Sequence, residues 1–206
     1  MKTIAILSQK GGAGKTTLAI NLAVAAIFAK KKSAIIDIDP QASATNWHDS
    51  RGLENPVVVS AQPARLQNIL TAAEESGADF VFIDTAPHSE SAALAAARIA
   101  DFVLIPCRPA ILDLRAIGNT IDILKIAGTK AAVVLTCVPS RGSLADEAAE
   151  AVASYKIPLS PVRIGHRTSF IHSLTLGQAV QEYEPNGKAV VEIIGLYKWT
   201  VKQVNM

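Results

Sequence analysis

Eight residues, Lys10-Gly11-Gly12-Ala13-Gly14-Lys15-Thr16-Thr17, stand between a short β-branched stretch (3–8, TIAILS) and a longer run of good helix formers (15–29). A glycine-rich turn that leaves a strand and opens a helix with Gly-Lys-Thr is the context of a phosphate-binding loop. Glycines let backbone N–H groups turn inward where side chains would obstruct them. The N-terminus of the helix adds its positive dipole end. Lys15 is placed to reach terminal phosphates, and the Thr16 hydroxyl to join a magnesium shell. Gly11, Gly12, Ala13, Gly14 and Thr17 complete the expected phosphate cradle.

The rest of the chain repeats the strand–helix alternation. Apolar strand runs are expected at 3–8, 33–38, 56–60, 79–84, 102–105 and 130–136. Helical patterns fall at 15–29, 65–76, 89–100, 111–127, 143–155 and 188–204, with Gly128 in a C-terminal capping position. Strands apolar on both faces, alternating with helices, predict a doubly wound, mostly parallel α/β sheet covered on both sides. Half of the 206 residues are apolar and 18% are charged, enough for one core, and a single domain over 1–206 is expected. The composition excludes intrinsic disorder, and two cysteines cannot staple a chain of this size. No apolar run reaches the ~18 residues of a membrane span, and no leader pattern opens the chain, so a cytoplasmic protein is expected.

Two further segments carry carboxylates where ligands of open α/β sheets collect, at strand carboxyl ends. Asp37-Ile38-Asp39-Pro40-Gln41 closes the second strand, with two carboxylates at spacing two that share a face. Phe80-Val81-Phe82-Ile83-Asp84 is an apolar strand ending in Asp, the Walker B pattern, with Asp84 expected at the magnesium. No Asn-Lys-x-Asp guanine motif occurs, which favours ATP over GTP.

The standard phosphate-loop pattern has glycine at the position held here by Gln9, and Lys10 is added. On these residues the chain resembles the deviant Walker A ATPases: partition-type ParA proteins, MinD and nitrogenase iron protein, nearest the small ParF-like partition proteins. The resemblance extends through Asp37–Gln41 as switch I, Asp84-Thr85-Ala86-Pro87 as switch II, and Ile105-Pro106-Cys107-Arg108-Pro109 with Asp113. It implies that Lys10 reaches across a nucleotide-sandwich homodimer to the partner's ATP, that Asp39 orients the attacking water, and that Asp37 supports the magnesium shell. It also suggests that Pro106, Pro109 and Thr136 lie near the base, although proline-rich strand ends are ordinary loop starts too.

As partners the resemblance implies nucleoid DNA, bound without sequence preference, and a ParB-like adaptor on a centromere-like site that stimulates slow ATP hydrolysis. Arg163, Arg167, Lys188, Lys198 and Lys202 are the candidate DNA contacts. The function so implied is nucleoid-associated segregation of a plasmid or chromosome. Three alternatives stay open: positioning of another cargo such as a chemoreceptor cluster or carboxysome, a MinD-like membrane switch, and a metabolic enzyme that spends ATP on a small molecule. The 188–204 helix offers Lys198 and Lys202 but also Glu192 on its polar face, a poor match to a membrane-surface helix, so membrane binding is not expected.

Overall fold

The computed structural model describes residues 1–205. Its strands are β1 (Lys2–Ile6), β2 (Ser33–Asp37), β3 (Val57–Ser60), β4 (Phe80–Asp84), β5 (Phe102–Cys107) and β6 (Ala131–Leu135). They form one parallel sheet in the order β3-β2-β4-β1-β5-β6. The helices are α1 (Lys15–Phe28), α2 (Ser43–Ser50), α3 (Leu66–Glu75), α4 (Glu90–Ile99), α5 (Ile111–Ala127), α6 (Leu144–Ser154), α7 (Thr168–Thr175), α8 (Val180–Tyr183) and α9 (Lys188–Val204).

Side chains alternate between the faces of a strand, and here both faces are apolar. Ile4, Ile6, Ile35, Phe80, Phe82, Leu104 and Val134 meet α1 and α9 on one side. Ala5, Leu7, Ile36, Val81, Ile83, Val103 and Val133 meet residues of α3, α4, α5 and α6 on the other. This is the doubly wound sheet that the alternation predicts. The central helix α1 is alanine-rich and buried along most of its length, so it can lie close to both the sheet and α9. Phe80 stacks edge-on against Tyr197 of α9, with ring centroids 5.8 Å apart. None of the helices is long and apolar enough to cross a membrane, among the described residues.

Register sets the chemistry. Asp37 stands beside Asp84 in the β2–β4 pairing, and Asp84 beside Ile6 in the β4–β1 pairing. Parallel neighbours are about 4.8 Å apart, so both carboxylates reach the sheet edge next to the segment that becomes the glycine loop.

Some boundaries and three helices differ from the sequence expectation. Helix α1 ends at Phe28, so Lys30, Lys31 and Lys32 lie in the following turn, where Lys31 pairs with Asp79 at 3.2 Å. Helices α2, α7 and α8 were not expected. They are short, and α2 buries only Ala44 and Trp47, too few apolar positions for a helical period to show. On α9 the buried face is Ala189, Val190, Ile193, Leu196, Tyr197, Thr200 and Val204; Ile194 and Val201 are half-buried at its flank. Helix α5 ends as expected, with Gly128 at φ 73°.

Candidate nucleotide-binding site

The glycine loop leaves β1 and enters α1 through Gly14, whose φ of 94° is closed to most side chains. Gly12 is also left-handed, at φ 70°. Opposite them, the Thr136 hydroxyl donates to the Ala13 carbonyl over 2.8 Å, tying the end of β6 to the loop. Lys15 is buried, and its Nζ donates to the Lys10 carbonyl at 3.3 Å, curling the side chain back over the loop. Burial pushes its ammonium below the ordinary lysine value, against the opposing pull of Asp84 and Asp39. Such a lysine gains most when a polyanion settles beside it.

The two expected metal carboxylates differ in their surroundings. Asp84 is fully buried, and neither oxygen has a hydrogen-bond partner among the described residues. Burial pushes its carboxyl up to about 7, with the neighbouring Asp37 and Asp39 charges adding to the rise and Lys15 opposing it. A buried carboxylate without partners is costly unless a cation satisfies it, so Asp84 fits a magnesium site directly or through water. Asp37, also fully buried, already accepts three hydrogen bonds: from Asp39 N at 3.1 Å, Thr45 N at 3.0 Å and Thr45 Oγ1 at 3.1 Å. Here its oxygens hold the 37–41 loop and the start of α2. Magnesium takes one or two carboxylates alongside phosphate and water, which Asp84 with Thr16 can support.

Asp39 is half-buried and accepts from Gln41 N at 2.9 Å. It faces a cleft of about 520 Å³ that also contains Gly11, Gly12, Lys15 and Thr16. The cleft continues past Thr136 and Cys137 to an apolar wall of Ile164, Phe170, Ile171 and Leu174. Sequence reasoning missed that wall, which comes from a loop and a short helix without a chemical motif. Pro106 is buried within β5, and Pro109 lines a neighbouring basin rather than the cleft. Lys10 also lines that basin and not the cleft containing Lys15.

Of the basic residues expected at DNA, Arg163 pairs with Asp146 at 2.7 Å, and Arg167 pairs with Glu192 while lining the glycine-loop cleft. Lys188, Lys198 and Lys202 are exposed, and at 100° per residue they fall within about 80° of one another on α9.

Residues 4–180 match the family described as CobQ/CobB/MinD/ParA nucleotide binding domain. The chain belongs to this family. Within it, the chain is 39% identical over 142 residues to the Maintenance of carboxysome distribution protein A of Gloeobacter kilaueensis, covering 68% of this chain and 65% of that protein. It is 28% identical to the protein of the same name from Halothiobacillus neapolitanus, covering 93% and 92%. It is 25% identical to the Chromosome partitioning protein ParA of Myxococcus xanthus, covering 98% and 88%. In fold it is similar to the septum site-determining protein MinD of Pyrococcus horikoshii complexed with Mg-ADP, with a TM-score of 0.80 over 98% of this chain and 96% of that one, at 21% identity. The MinD/ParA assignment agrees with the deviant Walker A resemblance.

Proposed function

We propose that this chain is a positioning ATPase that binds Mg-ATP, closes into a sandwich homodimer and, in that state, holds DNA without sequence preference. The observation that carries the reading is the separation of its two loop lysines. Lys15 is buried over its own phosphate site, whereas Lys10 lines a separate basin outside that cleft. A cation displayed outward suits a nucleotide bound by a second copy, and one supplied in trans makes nucleotide and dimer mutually dependent. Asp39 orients the attacking water, with positioning rather than full deprotonation supplying most of the effect. When bound, magnesium neutralises phosphate charge, and Asp84 with Thr16 would hold it. Intrinsic hydrolysis is slow because the site is completed only by a second subunit and an adaptor.

The DNA surface is the α9 stripe of Lys188, Lys198 and Lys202, which dimerisation doubles. Arg163 and Arg167 have carboxylate partners and contribute less free charge. The ParA relative supports a replicon as cargo, carried through a ParB-like adaptor. The two relatives named for carboxysome distribution support a protein compartment as the second reading.

Binding to random-sequence duplex DNA, measured without nucleotide, with ADP and with a non-hydrolysable ATP analogue across a salt series, tests the switch. Binding only with the analogue is expected, with a log–log salt slope that becomes shallower by about 2 in K198A if one phosphate contact per subunit is lost. Absence of DNA binding in every state would overturn the proposal. Imaging replicons and protein compartments in a strain lacking the gene separates the two cargoes.

A further inference from the structure

Arg108 lies in the turn from β5 to α5, beside the glycine loop. Its guanidinium is forked by Asp113, with Nε to Oδ1 at 2.8 Å and Nη2 to Oδ2 at 3.2 Å. Asp113 is buried, with its side chain 4% exposed, whereas the Arg108 side chain is 38% exposed. The fork uses two of the three guanidinium nitrogens. The third, Nη1, makes no hydrogen bond among the described residues and lies 3.9 Å from the point where a Cβ on Gly12 would stand. Gly12 is exposed. The planar guanidinium, locked by a buried carboxylate, thus aims its one free nitrogen across the mouth of the phosphate loop.

One feature argues against a simple clasp for the loop: a clasp has no need to project a free donor over a glycine. Charge points the same way. Arg108 shares its basin of about 510 Å³ with Lys10, and Asp113 is the one carboxylate lining it. Two cations against one anion leave positive charge next to a loop whose amide groups and helix dipole are positive too. Such convergence is favourable only when a polyanion occupies the site. Guanidinium forks also recognise phosphate oxygens better than ammonium groups do.

We propose that Arg108 is a phosphate-contacting residue of the nucleotide site, oriented by Asp113, with its free Nη1 donating to oxygens of a nucleotide's terminal phosphate. The inference rests on the reading of the glycine loop as an ATP site. The phosphate belongs either to the nucleotide in the same subunit or to that of a second copy, and the chemistry is shared. Asp113 is a positioning residue that acts through Arg108.

The test compares binding of fluorescent ATP and ADP to wild type, R108Q, R108K and D113N, with thermal melts as a check on folding. The comparison is made at protein concentrations well below and well above dimerisation. In R108Q the preference for ATP over ADP should fall by about tenfold, the loss of one charge-assisted contact, while ADP affinity stays near wild type. R108K should recover only part of the preference, because it restores charge without the fork. D113N should fall between wild type and R108Q. An effect already present in dilute protein assigns the contact to the subunit's own nucleotide; one that appears only in concentrated protein assigns it to the partner's. If R108Q is folded and keeps the wild-type preference at both concentrations, the proposal is overturned and the pair is a loop clasp. Failure of wild type to bind ATP would instead remove the underlying ATP-site reading.

Discussion

The Thr136 hydroxyl and the Ala13 carbonyl, 123 residues apart in sequence, meet at 2.8 Å in the buried space behind the glycine loop. One donor from the end of β6 therefore fixes the curvature of a loop that begins at β1, on the other side of β5. Thr136→Val keeps the shape of the side chain and strands that carbonyl. Stability should fall by about 1–3 kcal/mol, and nucleotide affinity should fall with it as the loop loses its brace. Chemical denaturation read beside nucleotide titration checks both. Unchanged affinity in a destabilised variant would show that the brace serves the fold alone.

Asp84 links pH to stability. Its folded carboxyl is raised from 3.8 to about 7, so the folded protein holds this proton more tightly than the unfolded chain does. The stability it contributes is present below about pH 4 and is lost as pH rises through 7. That distance is worth about 4 kcal/mol. In nucleotide-free, magnesium-free solution, wild type should lose stability between about pH 4 and 7, and Asp84→Asn should flatten that loss. At pH 8 the variant should melt higher than wild type when nucleotide-free, yet gain little from Mg-ATP. Melting curves over pH, with and without Mg-ATP, give both readings.

Arg51 and Glu182 form a second, structural pair. The Arg51 side chain is 2% exposed, bonded to Glu182 at 2.7 Å and stacked 4.4 Å over Trp47. Removing Glu182 leaves a buried cation with one fewer partner, and Glu182→Ala should cost about 3 kcal/mol. Gly177, at φ 66°, approaches so closely that a Cβ would stand 2.9 Å from the Arg51 backbone. Gly177→Ala should destabilise the same junction. Denaturant midpoints of the two single variants and the double variant will show less than additive losses if they disturb one contact.

Lys15 and Asp39 should separate binding from turnover. Lys15→Ala removes the cation over the phosphate loop and should abolish productive ATP binding. Asp39→Ala should bind ATP, accumulate as dimer and turn over at least 100-fold more slowly, an order typical of losing a group that positions the nucleophile. Equilibrium binding, light scattering and phosphate release distinguish the two. Wild-type turnover in Asp39→Ala would reassign the water-orienting role.

The glycine-loop part of the candidate site was legible because its residues are local: the glycine loop, Lys15 and Thr16 are contiguous, and Asp84 closes a strand. The sheet was legible because apolar runs alternate with helical ones. The apolar wall from Ile164 to Leu174 was not, because ordinary hydrophobic residues become a site only when α7 is brought to the sheet edge. Arg167 illustrates the same difficulty. Its sequence neighbours suggested a basic surface, yet Glu192, 25 residues away, is its partner. The Arg108–Asp113 fork spans five residues, but its aim at Gly12 depends on the β1–β5 adjacency, a feature of topology rather than spacing.

Glu192 makes one further consequence unavoidable. Its carboxylate accepts from Gly165 N at 3.1 Å and from the Arg167 guanidinium, so a residue of α9 grips the segment that forms one side of the glycine-loop cleft. Helix α9 also presents Lys188, Lys198 and Lys202 outward. Gly165 and Arg167 cannot shift as a unit without pulling on Glu192 or letting it go, and letting go leaves a half-buried charge unpaired. The outer helix is therefore tied to one wall of the cleft through a single carboxylate, on the same helix that carries those three lysines.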